Sequence, residues 1–183
     1  MPPGLEDLSA VICRLARARH AWPRDQITLR GEPGSRPGHG AGFGNVHLWS
    51  VAGRRTIATL HDPGGQGVFS FGFSPDGNLL AVTDALHVFV WDVRSGMLVA
   101  TIRPPRGVVL RCLEFSPAGQ SIAVTGDSPE TYIWSTSTRK LVAVLTDPSG
   151  AGVSSLVYSP DGRTLAVSDA DGHIYLWDVS GLP

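Results

Sequence analysis

The stretch YSPDGRTLAVSDADGHIYLWDVSG, residues 158–181, decides the reading of this chain. It opens on Ser159-Pro160-Asp161-Gly162, in which proline presets the φ of the second position of a type I turn and glycine accepts the conformation that closes it. An apolar run, Leu165-Ala166-Val167, follows. A second turn and a second apolar run, Ile174-Tyr175-Leu176-Trp177, complete it. The two runs predict antiparallel strands, and the question is whether they stand alone or recur.

They recur. Tryptophan returns at Trp49, Trp91, Trp134 and Trp177, and the turn returns as Phe73-Ser74-Pro75-Asp76-Gly77, Phe115-Ser116-Pro117-Ala118-Gly119 and Tyr158-Ser159-Pro160-Asp161-Gly162. Two independent markers share one period of about 42–43 residues, which marks a repeat array. Leu79-Leu80-Ala81-Val82 and Ile122-Ala123-Val124 match the first apolar run; Val88-Phe89-Val90-Trp91 and Tyr132-Ile133-Trp134 match the second. These runs do not alternate apolar with polar, so their sheets are covered on both faces. Ser95-Gly96 and Ala52-Gly53 then turn the chain into a further strand, such as Met97 to Ile102 or Thr56 to Leu60. Four antiparallel strands per period, buried on both sides, describe a blade stacked between neighbours.

The sequence resembles the WD-repeat β-propeller family. Trp91-Asp92 and Trp177-Asp178 supply its signature dipeptide, and the likeness covers about residues 43–181. The linkers Leu60-His61-Asp62-Pro63-Gly64 and Leu145-Thr146-Asp147-Pro148-Ser149-Gly150 are similar to those of bacterial WD-repeat arrays, some of them attached to actinobacterial serine/threonine kinases. No kinase motif occurs in this chain. The resemblance implies an all-β fold, a partial β-propeller of three to four four-stranded antiparallel blades, with a short N-terminal helix. The family's usual Gly-His dipeptide before the first strand of a blade is absent, so its buried Asp-His-Ser/Thr-Trp network is incomplete. Asp171, six residues before Trp177, matches the network's aspartate, and Phe43, Ala85 and Ser128 stand at the matching positions. The third copy has Trp134-Ser135 in place of Trp-Asp. Packing and turns are therefore expected to hold the blades.

The organisation is expected to be an amphipathic helix over 1–24, a Gly/Pro-rich linker or degenerate half-blade over 25–44, and blades over 45–183. Leu5, Leu8, Ile12 and Leu15 make the helical stripe, and Trp22-Pro23 a natural stop. Three to four blades form an open arc with apolar sheet faces exposed at both ends. The array is then a segment of a longer propeller, or one part of an assembly, such as a homo-oligomer, that closes it.

Composition narrows the chemistry. Hydrophobic residues make up 42% and charged residues 17%, which excludes a disordered charged tail. The net charge of −1 gives no whole-protein case for nucleic acid. No apolar run is long enough to span a membrane, and the first residues lack a signal-peptide pattern, so a cytoplasmic location is expected. Cys13 and Cys112 are too few for a disulfide framework or a four-thiolate zinc site, and read as unpaired thiols with Cys112 in a strand core.

The fragments that imitate active-site motifs fail on detail. Gly38, Gly40, Gly42 and Gly44 do not form G-x-G-x-x-G and lack a strand-to-helix context. Asp169-Ala170-Asp171-Gly172 opens like a calcium loop but lacks its later ligands. Gly67 to Gly72 misses a nucleophile elbow by one position. His87 and His173 recur at nearly equivalent places, a property of the repeat that favours a structural role over a metal site. No cofactor and no enzymatic activity are expected. In the family, the loops before each blade's first strand and before its Trp-ending strand line one face where partners dock. Here those loops carry His61, Asp62, Gln66, Asp84, Arg103, Arg106, Asp127, Glu130, Asp147 and Asp171. Their mixed charges suit a protein or peptide better than a polyanion. The expected function is a non-catalytic scaffold; a regulatory fragment of a larger protein such as a kinase, or a truncated array needing other blades, is the alternative.

Overall fold

The computed structural model describes residues 27–30, 45–50, 53–61, 63–65, 67–105 and 108–183. They form four antiparallel sheets, as the repeat demands. Blade one holds β1 (Ile27–Arg30), β2 (Asn45–Ser50) and β3 (Arg55–His61). Blade two holds β4 (Ser70–Phe73), β5 (Leu79–Thr83), β6 (Val88–Asp92) and β7 (Leu98–Ile102). Blade three holds β8 (Leu110–Phe115), β9 (Ser121–Gly126), β10 (Glu130–Ser135) and β11 (Leu141–Thr146). Blade four holds β12 (Val153–Tyr158), β13 (Thr164–Asp169) and β14 (Ile174–Asp178). The all-β, partial-propeller expectation is borne out. The expected N-terminal helix lies outside the described residues, as does most of 25–44, although β1 pairs along β2. Among the described residues no helix is long and apolar enough to cross a membrane.

The Ser-Pro-x-Gly turns fold as their residue types dictate. The Gly77, Gly119 and Gly162 amides donate to the Ser74, Ser116 and Ser159 carbonyls at 2.8, 2.8 and 2.9 Å, and each glycine is left-handed, with φ of 73°, 71° and 72°. The serine hydroxyl then accepts the amide that starts the next strand, from Leu79 at 2.9 Å, Ser121 at 3.1 Å and Thr164 at 2.9 Å. Where aspartate follows proline, the same hydroxyl donates to it, at 2.5 Å in Ser74–Asp76 and 2.6 Å in Ser159–Asp161. Ala118 removes that bond from blade three.

Period-two alternation distributes each strand between two neighbours. On β9, Ile122 and Val124 face blade two and Ala123 faces blade four; on β10, Tyr132 and Trp134 face blade two and Ile133 faces blade four. The result is one apolar layer per junction. Val46, Leu48 and Leu60 meet Leu80, Val82, Phe89 and Trp91 between blades one and two, and Leu113 and Phe115 join Val88 and Val90 between blades two and three. Full burial of such a side chain is worth about 1.5–3 kcal/mol, so these layers outweigh any single turn bond. The third and outer strands slip register just before the tryptophan in blades one to three, between Leu48 and Trp49, Val90 and Trp91, and Ile133 and Trp134. This bulge adds local twist at one place in each blade.

The two ends of the arc differ. On blade four, Val157, Ala166 and Leu176 lie side by side across the sheet on the face turned away from blade three, next to Ile174. Leu176 and Ile174 are 71% and 70% exposed. On blade one, the face opposite the buried Val46 and Leu48 carries His47, whose Nδ1 lies 3.1 Å from Thr59 Oγ1, and half-buried Trp49. The expectation of apolar faces at both ends holds at blade four; at blade one the face is mixed. Cys112 is buried in β8, as expected, but it is not an unpaired thiol: no free cysteine is found among the described residues.

Candidate functional site

Strand register brings the loops before the first and third strands to one end of blades two, three and four. Ser70 pairs with Thr83, Thr83 with Val88 and Val88 with Ile102, so the segments around 67–69, 84–87 and 103–105 emerge together. Leu110 with Gly126 and Glu130 with Thr146 do the same in blade three, as do Val153 with Asp169 and Ser168 with Ile174 in blade four. Backbone bonds lock the loops of successive blades. The Leu110 amide donates to the Ala85 carbonyl at 2.8 Å, and the Val153 amide to that of Ser128 at 3.2 Å.

The site residues expected on this face fall into two groups. His61, Arg103, Asp127 and Asp171 are exposed, and Glu130 is half-buried at the start of β10. His61 Nδ1 lies 2.9 Å from Asn45 Oδ1, and Asp127 Oδ1 accepts the Val109 amide at 3.0 Å. Asp84 and Asp147 are buried and hold their own turns. Asp84 Oδ1 accepts the amides of Leu86 and His87, and its Oδ2 lies 3.2 Å from His87 Nδ1. Asp147 Oδ1 accepts the Ser149 amide at 2.7 Å and the Ser149 hydroxyl at 2.8 Å. Asp62, Gln66 and Arg106 lie outside the described residues.

The acidic residue built into blade four is Asp169. Its Oδ1 accepts the His173 amide at 2.8 Å, and its Oδ2 lies 2.9 Å from His173 Nδ1 and accepts the Ser149 hydroxyl at 3.0 Å. Asp171, which the sequence matched to a buried network, is exposed at the turn's tip and takes no such part. The signal for Asp169 was present in the repeat: Asp84 and Asp169 stand at the same point of blades two and four, each just before the recurring histidine. Blade three has Gly126 there, because a Cβ would sit 2.4 Å from the Val109 carbonyl oxygen.

Ser149 joins two carboxylates across the junction of blades three and four, and the electrostatics follow. Burial pushes the Asp169 carboxyl up, but the His173 side chain and amide and the Ser149 hydroxyl outweigh it and hold it below the usual carboxylate range. The hydrogen bond and charge of Asp169 raise His173 above its ordinary value, helped by Asp171 and Asp147. Burial raises Tyr175, with the charges of Asp147 and Asp169 adding to it. Among the described residues no group of three or more His, Cys, Asp or Glu is placed to hold a metal ion.

Two stretches, residues 54–92 and 139–178, match the family model described as WD domain, G-beta repeat. Each runs from the outer strand of one blade through the first three strands of the next, β3 to β6 and β11 to β14. The copy between them, β7 to β10, falls outside both stretches, and it is the copy with Ala118, Gly126 and Ser135 where its neighbours have aspartate. No curated protein matches the chain. WD repeats typically mediate protein–protein interaction and are generally non-catalytic scaffolds. Two matched repeats, with a third recognisable between them from its turn and tryptophan and the blades stacked in order, show that this chain carries WD repeats.

Proposed function

We propose that the chain is a non-catalytic scaffold that binds a protein or peptide through the loop face. One observation carries this reading. The ends of four successive blades present His61, Arg103, Asp127, Glu130 and Asp171 on one surface, while the loops beneath are fixed by blade-to-blade backbone bonds such as Leu110 to Ala85. A rigid platform with solvent-facing polar groups recognises a partner at low ordering cost.

The test compares two charge-reversed variants. Arg103→Glu with Asp127→Arg and Asp171→Arg alters the loop face; Arg94→Glu with Lys140→Glu and Arg163→Glu alters the opposite face. Cross-linking in cell extract is expected to yield the same adducts from the wild type and the opposite-face variant and to lose them in the loop-face variant. The reverse pattern would overturn the reading.

A second reading is favoured by the row Val157, Ala166 and Leu176 with Ile174: this face joins a further blade, supplied by a second copy that closes the arc. Sedimentation is expected to show a discrete oligomer that Leu176→Lys dissociates. A monodisperse monomer would exclude it.

A further inference from the structure

At the end of the blades that carries the Ser-Pro turns, the junctions between blades can be compared residue by residue. The amides of Val93, Thr136 and Val179 donate to the carbonyls of Asn78, Gln120 and Arg163 at 2.8, 2.9 and 2.8 Å, which makes the three residues structural equivalents. Val93 packs against the layer between blades one and two, and Val179 is buried in the layer between blades three and four. Leu182 packs against that second layer too.

The junction of blades two and three is lined differently. Thr136 stands in place of the valine, and its hydroxyl donates to the Gly119 carbonyl at 2.9 Å. Arg139 follows its tryptophan at the same distance in sequence as Leu182 does, and Val90, just before Trp91, is shorter than Leu48 and Ile133 in the corresponding places. Here the junction holds a cleft of about 210 Å³, with Val99 and Ala100 of β7 on one side, Thr136 and Arg139 on the other, and Val90 and Ile122 in its lining. Val99, Ala100 and Thr136 are half-buried and Arg139 is exposed, so the cleft opens to solvent.

Blade three is also short of acid at this end. Asp76 and Asp161 hold the Ser-Pro turns of blades two and four, and Asp92 and Asp178 the turns after the tryptophan, where blade three has Ala118 and Ser135. Among the described residues no carboxylate pairs with the Arg139 side chain.

We propose that this cleft docks a segment of a partner polypeptide in which a leucine is flanked by aspartate, the leucine side chain entering between β7 and Thr136 and a carboxylate meeting the Arg139 guanidinium. An apolar cavity of about 150 Å³ holds a benzene molecule, so the cleft has room for a branched aliphatic chain. Val93 and Val179 show such chains packed at the neighbouring junctions, each preceded by the aspartate that blade three lacks. A guanidinium at the rim favours a carboxylate beside the anchor over a neutral amide. The cleft lies at the end of the blades opposite the loop face and goes beyond the reading of that face.

The probe is acetyl-Asp-Leu-Asp-amide, with the Asp-Ala-Asp and Asn-Leu-Asn counterparts as controls, titrated into the whole chain and followed by amide NMR shifts. Asp-Leu-Asp is expected to bind about tenfold more tightly than Asp-Ala-Asp, which lacks the buried anchor, and about threefold more tightly than Asn-Leu-Asn. Ala100→Leu fills the cleft from β7 and is expected to weaken Asp-Leu-Asp by about tenfold. Arg139→Gly keeps the left-handed backbone that Gly96 has in blade two and is expected to erase the preference for Asp-Leu-Asp over Asn-Leu-Asn. Absence of binding, equal binding of the leucine and alanine peptides, or a charge preference that survives Arg139→Gly would overturn the proposal. If Ala100→Leu disturbs folding, Val90→Ile is read in its place, with about a threefold loss expected and no loss counting against it. The loop-face charge reversals are expected to leave the peptide's affinity unchanged. Should the peptide fail while those reversals still abolish adducts, this inference falls and the loop-face reading stands.

Discussion

Gly126 and Val109 touch where a side chain would not fit: a Cβ on Gly126 would lie 2.4 Å from the Val109 carbonyl oxygen and 2.6 Å from Val108 Cγ1. The oxygen belongs to backbone that itself accepts the Asp127 amide at 3.0 Å, so it cannot retreat without breaking the link between the loops. Gly126→Ala is therefore expected to destabilise by about 1–3 kcal/mol through overpacking. Gly65→Ala, at φ 64° with nothing within 4 Å of the new Cβ, is expected to cost only about 1 kcal/mol. Urea titrations of the two variants check the order.

A left-handed residue recurs where each third strand turns into its outer strand. It is Gly96 in blade two, with φ 67°, but Arg54 and Arg139 in blades one and three, with φ 50° and 58°. Arg139→Gly is expected to relieve about 1 kcal/mol of backbone strain, less what glycine adds to the freedom of the unfolded chain. A small rise in melting temperature is the expected outcome; a fall would mean that the unfolded-chain term dominates.

Junction layers and the outer face of blade four should respond differently to the same deletion. Ile133 is 0% exposed between blades three and four, so Ile133→Ala is expected to cost about 2–5 kcal/mol. Leu176→Ala on the open face should change stability by no more than about 0.5 kcal/mol. Chemical denaturation of both variants separates the cases.

The Asp169–His173 pair gives stability a defined pH window. His173 is raised in the folded chain, so its contribution is fully present below its unfolded value of 6.5 and is lost as pH rises through the folded one. Asp169 is lowered, so its contribution is present above 3.8 and is lost as pH falls through the folded value. His173→Gln is expected to cost more at about pH 5.5 than at about pH 8.5. Melting curves of both proteins across that range check it; equal differences at both ends would remove the pair from the pH dependence.

Turn carboxylates act in the same direction on the acid side. Ser74 lowers Asp76 and Ser159 lowers Asp161, each through a hydroxyl hydrogen bond, with the amides of Asn78 and Arg163 adding to it. Asp76→Ala with Asp161→Ala should narrow the loss of stability between neutral pH and about pH 3. Acid titration followed by circular dichroism measures the change.

Much of this architecture was written in local chemistry. The Ser-Pro-x-Gly turn fixes where β4, β8 and β12 end, and the runs before Trp91, Trp134 and Trp177 fix the third strands, because turn and burial act within a few residues. What eluded the sequence depends on neighbours in space. Ile27–Arg30 is too short to declare itself a strand, and becomes one by pairing with His47 to Ser50. Arg54 and Arg139 hide left-handed positions that glycine would have announced. Asp169 and Asp171 are both aspartates in one turn, and the bonds from His173 and from the Ser149 hydroxyl, which reaches in from the connection between β11 and β12, distinguish the buried partner from the exposed tip. The loop-face residues were legible as a set; that Asp84 and Asp147 are occupied in holding turns was not.

The matched repeats begin on an outer strand and finish on the third strand of the following blade. Each repeat is therefore a stitch rather than a tile: its residues are divided between two sheets, and no cut at a repeat boundary releases an intact blade. Force applied along the chain would peel β11 from β10 while tugging at β12, so load on one sheet reaches the next through covalent backbone as well as through packing. A duplicated repeat inserted between Asp92 and Met97 would supply the outer strand its predecessor requires, lengthening the arc without leaving an unpaired edge behind it.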